Sequence, residues 1–201
     1  MLHRAFFFDR DGIVNKRIVG GYVTSVDEFV FLPDFFSVFR LVKEMEYLAI
    51  LVTNQQGVGK GLMTDEDLRA VHAYMQRCIR AKTGWQFDDI YAATECDRVE
   101  CQQFSEGAVV HRRRKPSPTM LYEAHARWGI HFALSWMIGD SLSDAEAGRA
   151  AGVHTVLVGN FQKHEADIVV PSLQALVPLL PSLLSPQENA SIISAKLYGS
   201  K

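Results

Sequence analysis

Two patterns of apolar residues alternate along the chain. Short uninterrupted apolar runs, bounded by turn or polar residues, are typical of strands that are buried on both faces of a parallel sheet. Longer segments repeat apolar residues at helical spacing, which is typical of helices with one buried face. The alternation predicts an α/β fold with a doubly wound, Rossmann-like parallel sheet.

The two patterns place the predicted elements along the sequence. The apolar runs predict strands over residues 6–8, 48–52, 90–93, 134–138, 153–158 and 167–170. Helical spacing predicts helices over residues 34–47, 64 to about 84, 116–128, 145–151 and 173–180. A short extended segment is predicted over residues 28–32, and alternating glycines at 57, 59 and 61 predict a loop whose amides can approach a ligand. His72 lies beside an apolar stripe and is interpreted as a packed or surface histidine.

Composition limits the class of protein. The 201 residues suit one domain over 1–184, followed by a polar tail over 185–201. A net charge of -2 gives no global attraction for nucleic acid or membranes. The sequence has no signal segment and no apolar run near the ~18 residues of a membrane helix, so we expect a cytoplasmic protein. Three cysteines, an odd number, give no disulfide framework. The oligomeric state stays open.

Two aspartates follow the first predicted strand. Asp9 and Asp11 come directly after Phe6–Phe8, and Gly12 supplies a turn. Ligands of open α/β sheets bind beyond the carboxyl ends of the strands. The two acids can converge there, with the Asp11 backbone carbonyl, around a cation. Taken alone, the pair is explained more simply as a polar loop with two solvated acids.

Further polar residues follow other strands. Thr53 follows the second strand, Asp140 follows the run over 134–138, and Lys115 lies between them. Asp144, one helical turn after Asp140, is expected to orient that loop. Each residue has a structural explanation of its own, as a helix cap or a surface cation. Their joint occurrence favours a single site.

These residues suit phosphoryl transfer. Asp9 is the predicted nucleophile, because a loose transition state needs little covalent push and much neutralisation of charge. Asp11 is the predicted general acid and later the base that activates water. Thr53 and Lys115 would stabilise charge on the transferred group. Asp9, Asp11 and Asp140 form an oxygen-only set of ligands, which predicts Mg²⁺.

The ordered set Asp-x-Asp, Thr, Lys and Gly-Asp-x-x-x-Asp resembles the four motifs of the haloacid dehalogenase (HAD) superfamily. The stretches Phe-Asp-Arg-Asp-Gly, Gly-Tyr-Val, Val-Thr-Asn-Gln-Gln-Gly-Val-Gly-Lys-Gly and Arg-Lys-Pro-Ser-Pro resemble the branch that contains heptose bisphosphate and histidinol-phosphate phosphatases. The resemblance spans Ala5 to about Leu184. It implies a HAD-like fold without a large cap domain.

The same resemblance implies a function. The expected activity is Mg²⁺-dependent hydrolysis of a small phosphorylated metabolite through an aspartyl-phosphate, with D-glycero-D-manno-heptose 1,7-bisphosphate as the expected substrate and histidinol phosphate as the alternative. The implied substrate contacts are Tyr22, Asn54, Gln55, Lys60 and Arg114, and Lys60 stands where the branch often has arginine.

Two other functions compete with the phosphatase activity. A receiver-like module could hold Mg²⁺ or a phosphoryl group without turnover, but such a module would not need Asp11 as a general acid. A phosphatase of nucleic-acid ends would need more than the four basic residues over 112–115 to follow a phosphate backbone.

One segment departs from the branch. The branch carries a zinc loop before Arg-Lys-Pro, and the matching positions here are Cys96, Arg98, His111 and Arg113. Two of the four zinc ligands have become cations, so we expect no structural zinc, although Cys101 could substitute for one ligand. Arg113 is therefore expected to point into the altered loop.

Overall fold

The computed structural model describes residues 2–95 and 113–184. The strands in these ranges are β1 (Ala5–Phe8), β2 (Leu48–Asn54), β3 (Asp89–Ala93), β4 (Trp136–Gly139), β5 (His154–Val158) and β6 (Ile168–Val170). These six strands form one sheet in the order β3-β2-β1-β4-β5-β6. Every neighbouring pair is parallel. The chain proceeds outward from β1 in one direction and from β4 in the other, so the strand order reverses between these two strands.

Helices connect the strands and follow the last one. They are α1 (Phe35–Glu44), α2 (Gln56–Gly59), α3 (Asp65–Thr83), α4 (Thr119–Trp128), α5 (Leu142–Ala151), α6 (Leu173–Leu176) and α7 (Leu180–Leu184). Short 3₁₀ helices cover Val26–Glu28 and Phe132–Leu134.

The helices cover both faces of the sheet. Successive side chains of a strand point to opposite faces, and the buried aromatic residues of β1 accordingly belong to two different cores. Phe6 and Phe8 pack with Phe35 of α1, whereas Phe7 packs with Met120 of α4. The predicted doubly wound parallel sheet is therefore confirmed, and its central strand is buried on both sides.

Helix α5 begins earlier than the sequence pattern indicated. The predicted start was residue 145, but the helix begins at Leu142. Ser141 is its N-cap and accepts a hydrogen bond from the Ser143 amide, while the Asp144 carboxylate accepts one from the Ser141 amide. This capping box fixes the loop that carries Asp140.

Other predicted boundaries also needed correction. The helix expected over 34–47 ends at Glu44, and the helix expected over 173–180 is divided into α6 and α7. The extended segment expected over 28–32 starts within a 3₁₀ helix. The expected glycine-rich loop is partly the short helix α2. A Cβ at Gly57 would lie 3.2 Å from the Tyr22 ring, so close packing against that ring explains this glycine.

The segment between β1 and α1 contains no large inserted domain. Residues 9–34 hold one 3₁₀ helix and isolated β-bridges. Among the described residues, no helix is long and apolar enough to cross a membrane. The predictions for the tail over 185–201, and for the zinc positions Cys96, Arg98, Cys101 and His111, concern residues outside the described ranges.

Candidate active site

Polar residues at the ends of three neighbouring strands meet at one edge of the sheet. In the sheet, β1 lies between β2 and β4. Asp9 directly follows β1, Thr53 lies near the end of β2, and Asp140 directly follows β4. Because the strands are parallel, their carboxyl ends lie side by side at the reversal of strand order, which is the usual place for a ligand site.

Lys115 joins this edge from the segment before α4. Its Nζ lies 2.8 Å from Asp9 Oδ1 and 2.6 Å from Asp144 Oδ1, and it donates a hydrogen bond of 2.7 Å to the Val52 carbonyl. The lysine is almost fully buried. Burial lowers the pKa of Lys115, but the charges of Asp144 and Asp9 outweigh this effect and raise the pKa above its ordinary value. The ammonium is therefore a fixed positive charge beside Asp9.

Three carboxylates crowd around one small volume. One oxygen from each of Asp9, Asp140 and Asp144 lies within 4.8 Å of the others. Burial, followed by the charge of Asp9, raises the pKa of Asp140 to about 6. Burial also raises the pKa of Asp144. The buried Oδ1 of Asp140 has no hydrogen-bond partner among the described residues. Carboxylate oxygens placed this closely could hold a cation, and oxygen ligands suit Mg²⁺.

The carboxylate of Asp11 is not part of this three-acid group. Arg10 Nη2 lies 3.2 Å from its Oδ1 and 3.1 Å from its Oδ2. Asn15 donates a hydrogen bond of 2.9 Å to Oδ1, and Gln55 donates one of 2.8 Å to Oδ2. Burial raises the pKa of Asp11, but Arg10 and these hydrogen bonds together lower it below its ordinary value. Among the described residues, Asp144 and not Asp11 joins Asp9 and Asp140 in the cluster of carboxylates, and a contribution of Asp11 to a metal site stays a prediction.

Gln55 connects two of the predicted catalytic residues. Its Nε2 lies 2.8 Å from both Asp11 Oδ2 and Thr53 Oγ1. Gln55 and Thr53 are fully buried and do not line the adjacent cavity. In the structure Gln55 therefore contacts site residues and not the cavity, and its expected contact with substrate stays a prediction.

Asn54 holds the backbone of Lys115. Its Oδ1 accepts a hydrogen bond of 2.9 Å from the Lys115 amide, and its Nδ2 donates one of 3.1 Å to the Lys115 carbonyl. Both ends of the Asn54 amide are thereby bonded to one residue. Asn54 also lines the cavity, so its predicted contact with substrate stays a prediction.

Glu95 holds the residues just before Lys115. Its Oε1 accepts hydrogen bonds of 2.6 Å from the Arg113 amide and 3.0 Å from the Arg114 amide. The Arg113 guanidinium contacts Glu123 of α4 at 2.6 Å and donates to the Ala92 carbonyl. The prediction that Arg113 points into the altered loop is therefore corrected, because a carboxylate and a carbonyl of the described fold bind its side chain.

A polar cavity of about 720 Å³ opens in front of Asp9 and Asp11. The cavity is lined by four cationic side chains, Arg17, Lys60, Arg114 and Lys115, and by Tyr22. The Lys60 ammonium lies 5.6 Å from the centre of the Tyr22 ring. The structure thus brings Tyr22, Lys60 and Arg114, three of the predicted substrate contacts, to one cavity.

Several site residues were not found from the sequence. Arg17 lies 3.2 Å from Asp140 Oδ2, and its side chain is half exposed. Arg10, inside the first motif, and Asn15, shortly after it, bind Asp11 from positions that no periodic pattern marks. Glu95 had a detectable signal, because it follows a predicted strand as Asp9 and Asp140 do.

Fold and site together define a class of protein. A doubly wound parallel sheet carries an Asp-x-Asp pair after its central strand, and a buried lysine bridges the first aspartate to Asp144 in the first turn of α5, just after the Gly-Asp loop. This combination is that of a HAD-like phosphoryl-transfer site, as the motifs predicted.

Comparisons with known proteins agree. The profile of the HAD-hydrolase-like family matches residues 112–176. The D-glycero-alpha-D-manno-heptose-1,7-bisphosphate 7-phosphatase of Burkholderia mallei is 32% identical over 194 residues, which cover 94% of this chain and 98% of the relative. The D-glycero-beta-D-manno-heptose-1,7-bisphosphate 7-phosphatase of Yersinia pestis is 36% identical over 75% of this chain and 77% of the relative.

A solved structure gives the same result. The D,D-heptose 1,7-bisphosphate phosphatase of B. bronchiseptica, crystallised with magnesium and phosphate, superposes with a TM-score of 0.74 at 28% identity. The match covers 89% of this chain and 98% of that one. The chain therefore belongs to the haloacid dehalogenase superfamily, among its phosphatases. A module without turnover has no support from these relatives, which are named as enzymes.

Proposed function

We propose that this protein is a Mg²⁺-dependent phosphatase that removes the 7-phosphate of D-glycero-D-manno-heptose 1,7-bisphosphate through an aspartyl-phosphate on Asp9. The observation that carries the proposal is the pairing of Asp9 with the buried Lys115 ammonium at 2.8 Å, in the lining of a cavity that contains three further cationic side chains. A fixed positive charge beside the attacking carboxylate is what a phosphoryl group needs in its transition state.

In this proposal Asp9 attacks phosphorus and the bond to the sugar oxygen breaks. Lys115 orients the carboxylate and neutralises charge on the transferred group, and the Thr53 hydroxyl can donate a further hydrogen bond. Water then attacks the aspartyl-phosphate, which releases inorganic phosphate and regenerates Asp9.

Asp11 moves the proton in both steps. It gives a proton to the leaving sugar oxygen and later takes one from the attacking water. The pKa of Asp11 is low in the free protein, and an anionic phosphate beside it would raise that pKa. Substrate binding would therefore favour the protonated form that the first step needs.

Mg²⁺ would be held by the carboxylates of Asp9 and Asp140 and by the main-chain carbonyl of Asp11, because donors already surround the Asp11 side chain. When bound, the ion would neutralise the charge of the phosphoryl group and of the crowded acids. Asp144 stays with Lys115 and the Ser141 amide, where it fixes the Asp140 loop.

The names of the relatives and the size and charge of the cavity support the choice of substrate. Both relatives described above are named as 7-phosphatases of heptose 1,7-bisphosphate. A cavity of about 720 Å³ has room for a sugar of this size. Arg17, Lys60 and Arg114 can face a second anionic group while Lys115 faces the reacting one.

Release of inorganic phosphate tests the proposal. The panel contains the α and β anomers of the heptose bisphosphate, histidinol phosphate and a nucleoside monophosphate, each with Mg²⁺. We expect one heptose anomer to have a kcat/KM at least about tenfold above the others and to leave heptose 1-phosphate as product. A higher kcat/KM for histidinol phosphate would make that compound the substrate in place of the heptose bisphosphate. If no compound of the panel released phosphate, the proposal would be overturned.

The proposed roles of the two aspartates are tested by isosteric amides. Asp9→Asn is expected to abolish turnover, because an amide does not attack phosphorus. Asp11→Asn is expected to lower kcat by about 10²–10⁴-fold, the range of general acid–base catalysis. Asp65→Asn, an exposed position at the start of α3, is the matched control. Near-normal phosphate release by either site variant would refute the mechanism.

A further inference from the structure

A line of buried polar contacts leads from the proposed general acid to helix α3. Arg10 is fully buried. Its Nη2 lies 3.1 and 3.2 Å from the two carboxylate oxygens of Asp11. Its Nη1 lies 3.3 Å from Nε2 of His72, a residue of α3 that is itself buried. His72 therefore does more than fill space on the inner face of α3, because it contacts the Arg10 guanidinium, which in turn contacts Asp11.

The direction of the Arg10–His72 hydrogen bond follows from the chemistry of the two groups. A guanidinium has donors only, so Arg10 Nη1 donates and His72 Nε2 accepts. The imidazole is then neutral and carries its proton on Nδ1. Burial, followed by the charge of Arg10, lowers the pKa of His72 to about 3, which agrees with a neutral ring at neutral pH.

The orientation of Arg10 depends on few contacts. Its Nε is buried and has no hydrogen-bond partner among the described residues. Within the described part of the chain, the polar contacts of its side chain are the ion pair with Asp11 and the hydrogen bond with His72. Without the imidazole acceptor, Nη1 of the buried Arg10 guanidinium would lose its hydrogen-bond partner. The guanidinium plane, which orients the two carboxylate oxygens of Asp11, would then be free to tilt.

We propose that His72 is a positioning residue for the general acid: it holds Arg10, and Arg10 holds the Asp11 carboxylate in the orientation that proton transfer to the leaving oxygen requires. This inference rests on the proposed function, in which Asp11 gives that proton. Asn15 and Gln55 also bind Asp11, so the loss of His72 misaligns the acid and does not remove it.

Two substitutions distinguish the loss of the hydrogen-bond acceptor at position 72 from the loss of side-chain volume. His72→Leu fills the space without an acceptor. His72→Gln offers a side-chain oxygen to Arg10 Nη1. Each variant is assayed with Mg²⁺ on the heptose bisphosphate, whose leaving group is a sugar alkoxide that needs a proton. The second substrate is p-nitrophenyl phosphate, whose leaving anion is stable without a proton.

The expected result is a defect that depends on the leaving group. His72→Leu should lower kcat/KM for the heptose bisphosphate by about tenfold, the scale of a misplaced catalytic group, and lower it for p-nitrophenyl phosphate by less than about threefold. The KM for the heptose bisphosphate should change by less than about threefold. His72→Gln should recover most of the loss.

Val71→Ala is the control for a purely structural role, because it truncates the neighbouring core residue on α3. It should lower the melting temperature without changing the ratio of the two kcat/KM values. Equal losses on both substrates in His72→Leu, or no loss on either, would overturn the inference while the proposed function stands. A wild-type protein that hydrolyses neither substrate would overturn the proposed function and this inference with it.

Discussion

Asp9 and Asp11 carry the same carboxyl group two residues apart, but their neighbours differ. Asp9 faces the Lys115 ammonium and two other acids, Asp140 and Asp144. Asp11 accepts hydrogen bonds from three side chains and is separated from that cluster. A carboxylate beside a cation and an open cavity suits attack on phosphorus, whereas a carboxylate held by several donors suits oriented proton transfer.

Asn54 is expected to act on catalysis through Lys115. Asn54→Ala removes both hydrogen bonds to the Lys115 backbone, so we expect kcat to fall by about tenfold and KM to change by less than about threefold. Steady-state kinetics on the heptose bisphosphate provide the measurement. A higher KM with unchanged kcat would instead indicate the direct substrate contact that the resemblance implied.

A matched control for this variant exists elsewhere in the fold. Gln76 forms a similar two-bond clamp, donating to the Phe87 carbonyl and accepting from the Phe87 amide. Gln76→Ala should lower stability without lowering kcat, since its clamp does not hold a site residue.

Arg113 and Arg114 are adjacent but should differ in kinetics. Arg114 lines the cavity, and Arg114→Ala should lower kcat/KM by about tenfold, the scale of one lost charge-assisted contact. Arg113 pairs with Glu123 at a partly exposed position, so Arg113→Ala should cost less than about 1 kcal/mol of stability and leave KM unchanged. Equal kinetic losses in both variants would indicate a diffuse field of positive charge.

At the scale of elements, residues at the ends of β2 and β3 hold the segment that leads into α4. Lys115 and Arg114 belong to no helix or strand, yet both need a fixed position in the site. Asn54 at the end of β2 and Glu95 just after β3 bind the backbone of residues 113–115. Two neighbouring strands therefore hold an irregular segment through side-chain hydrogen bonds to its backbone.

Glu95 is expected to be needed for activity although it lies outside the cavity lining. Glu95→Ala leaves the amides of Arg113 and Arg114 without their acceptor and should lower kcat/KM by about tenfold. Glu95→Gln keeps a side-chain oxygen and should recover to within about threefold of the wild type. Glu44→Ala, at an exposed position of α1, is the control and should leave kcat/KM unchanged. Full activity of Glu95→Ala at an unchanged melting temperature would show that the segment is positioned without this carboxylate.

At the scale of the whole molecule, the reversal of strand order between β1 and β4 creates the site. The helices on either side of the sheet leave the carboxyl ends of β2, β1 and β4 open to one cavity. The same arrangement places three acids within 4.8 Å of one another, which is costly until a cation neutralises them.

Mg²⁺ is therefore expected to stabilise the folded protein. At about a hundredfold excess over Kd, binding contributes about 2.7 kcal/mol, and for a domain of this size the melting temperature should rise by about 5–10 °C. Thermal unfolding with EDTA and with Mg²⁺ measures the shift. EDTA should also abolish activity, and Mg²⁺ should restore it.

The variant Asp140→Asn tests where Mg²⁺ binds to raise the melting temperature. The variant should lose most of the Mg²⁺-dependent shift, since it removes one anionic ligand. A shift of full size in Asp140→Asn would place the ion elsewhere. Elemental analysis of the purified protein is expected to find no stoichiometric zinc, and one tightly held zinc per chain would contradict that prediction.

Local patterns were enough to predict most of the architecture. Continuous apolar runs mark strands buried on both faces, and helical spacing marks the helices between them, because burial acts on each segment separately. The predicted helix boundaries were wrong where a capping residue sets the start of a helix, as at Ser141. They were also wrong where a predicted helix is divided in two, as between α6 and α7. Apolar spacing contains no information on such end effects.

The sequence by itself determined which residue types follow strands and that a lysine lies between them along the chain, and so it predicted Asp9, Asp11, Thr53, Lys115 and Asp140 as one site. Only the tertiary structure decided how they are paired. Asn54 and Lys115 are 61 positions apart, and Arg10 and His72 are 62 apart. Contacts at such separations depend on how strands and helices pack and on where each side chain points. For this reason the contacts of Asn54, Gln55, Glu95 and His72 became visible only in the folded chain.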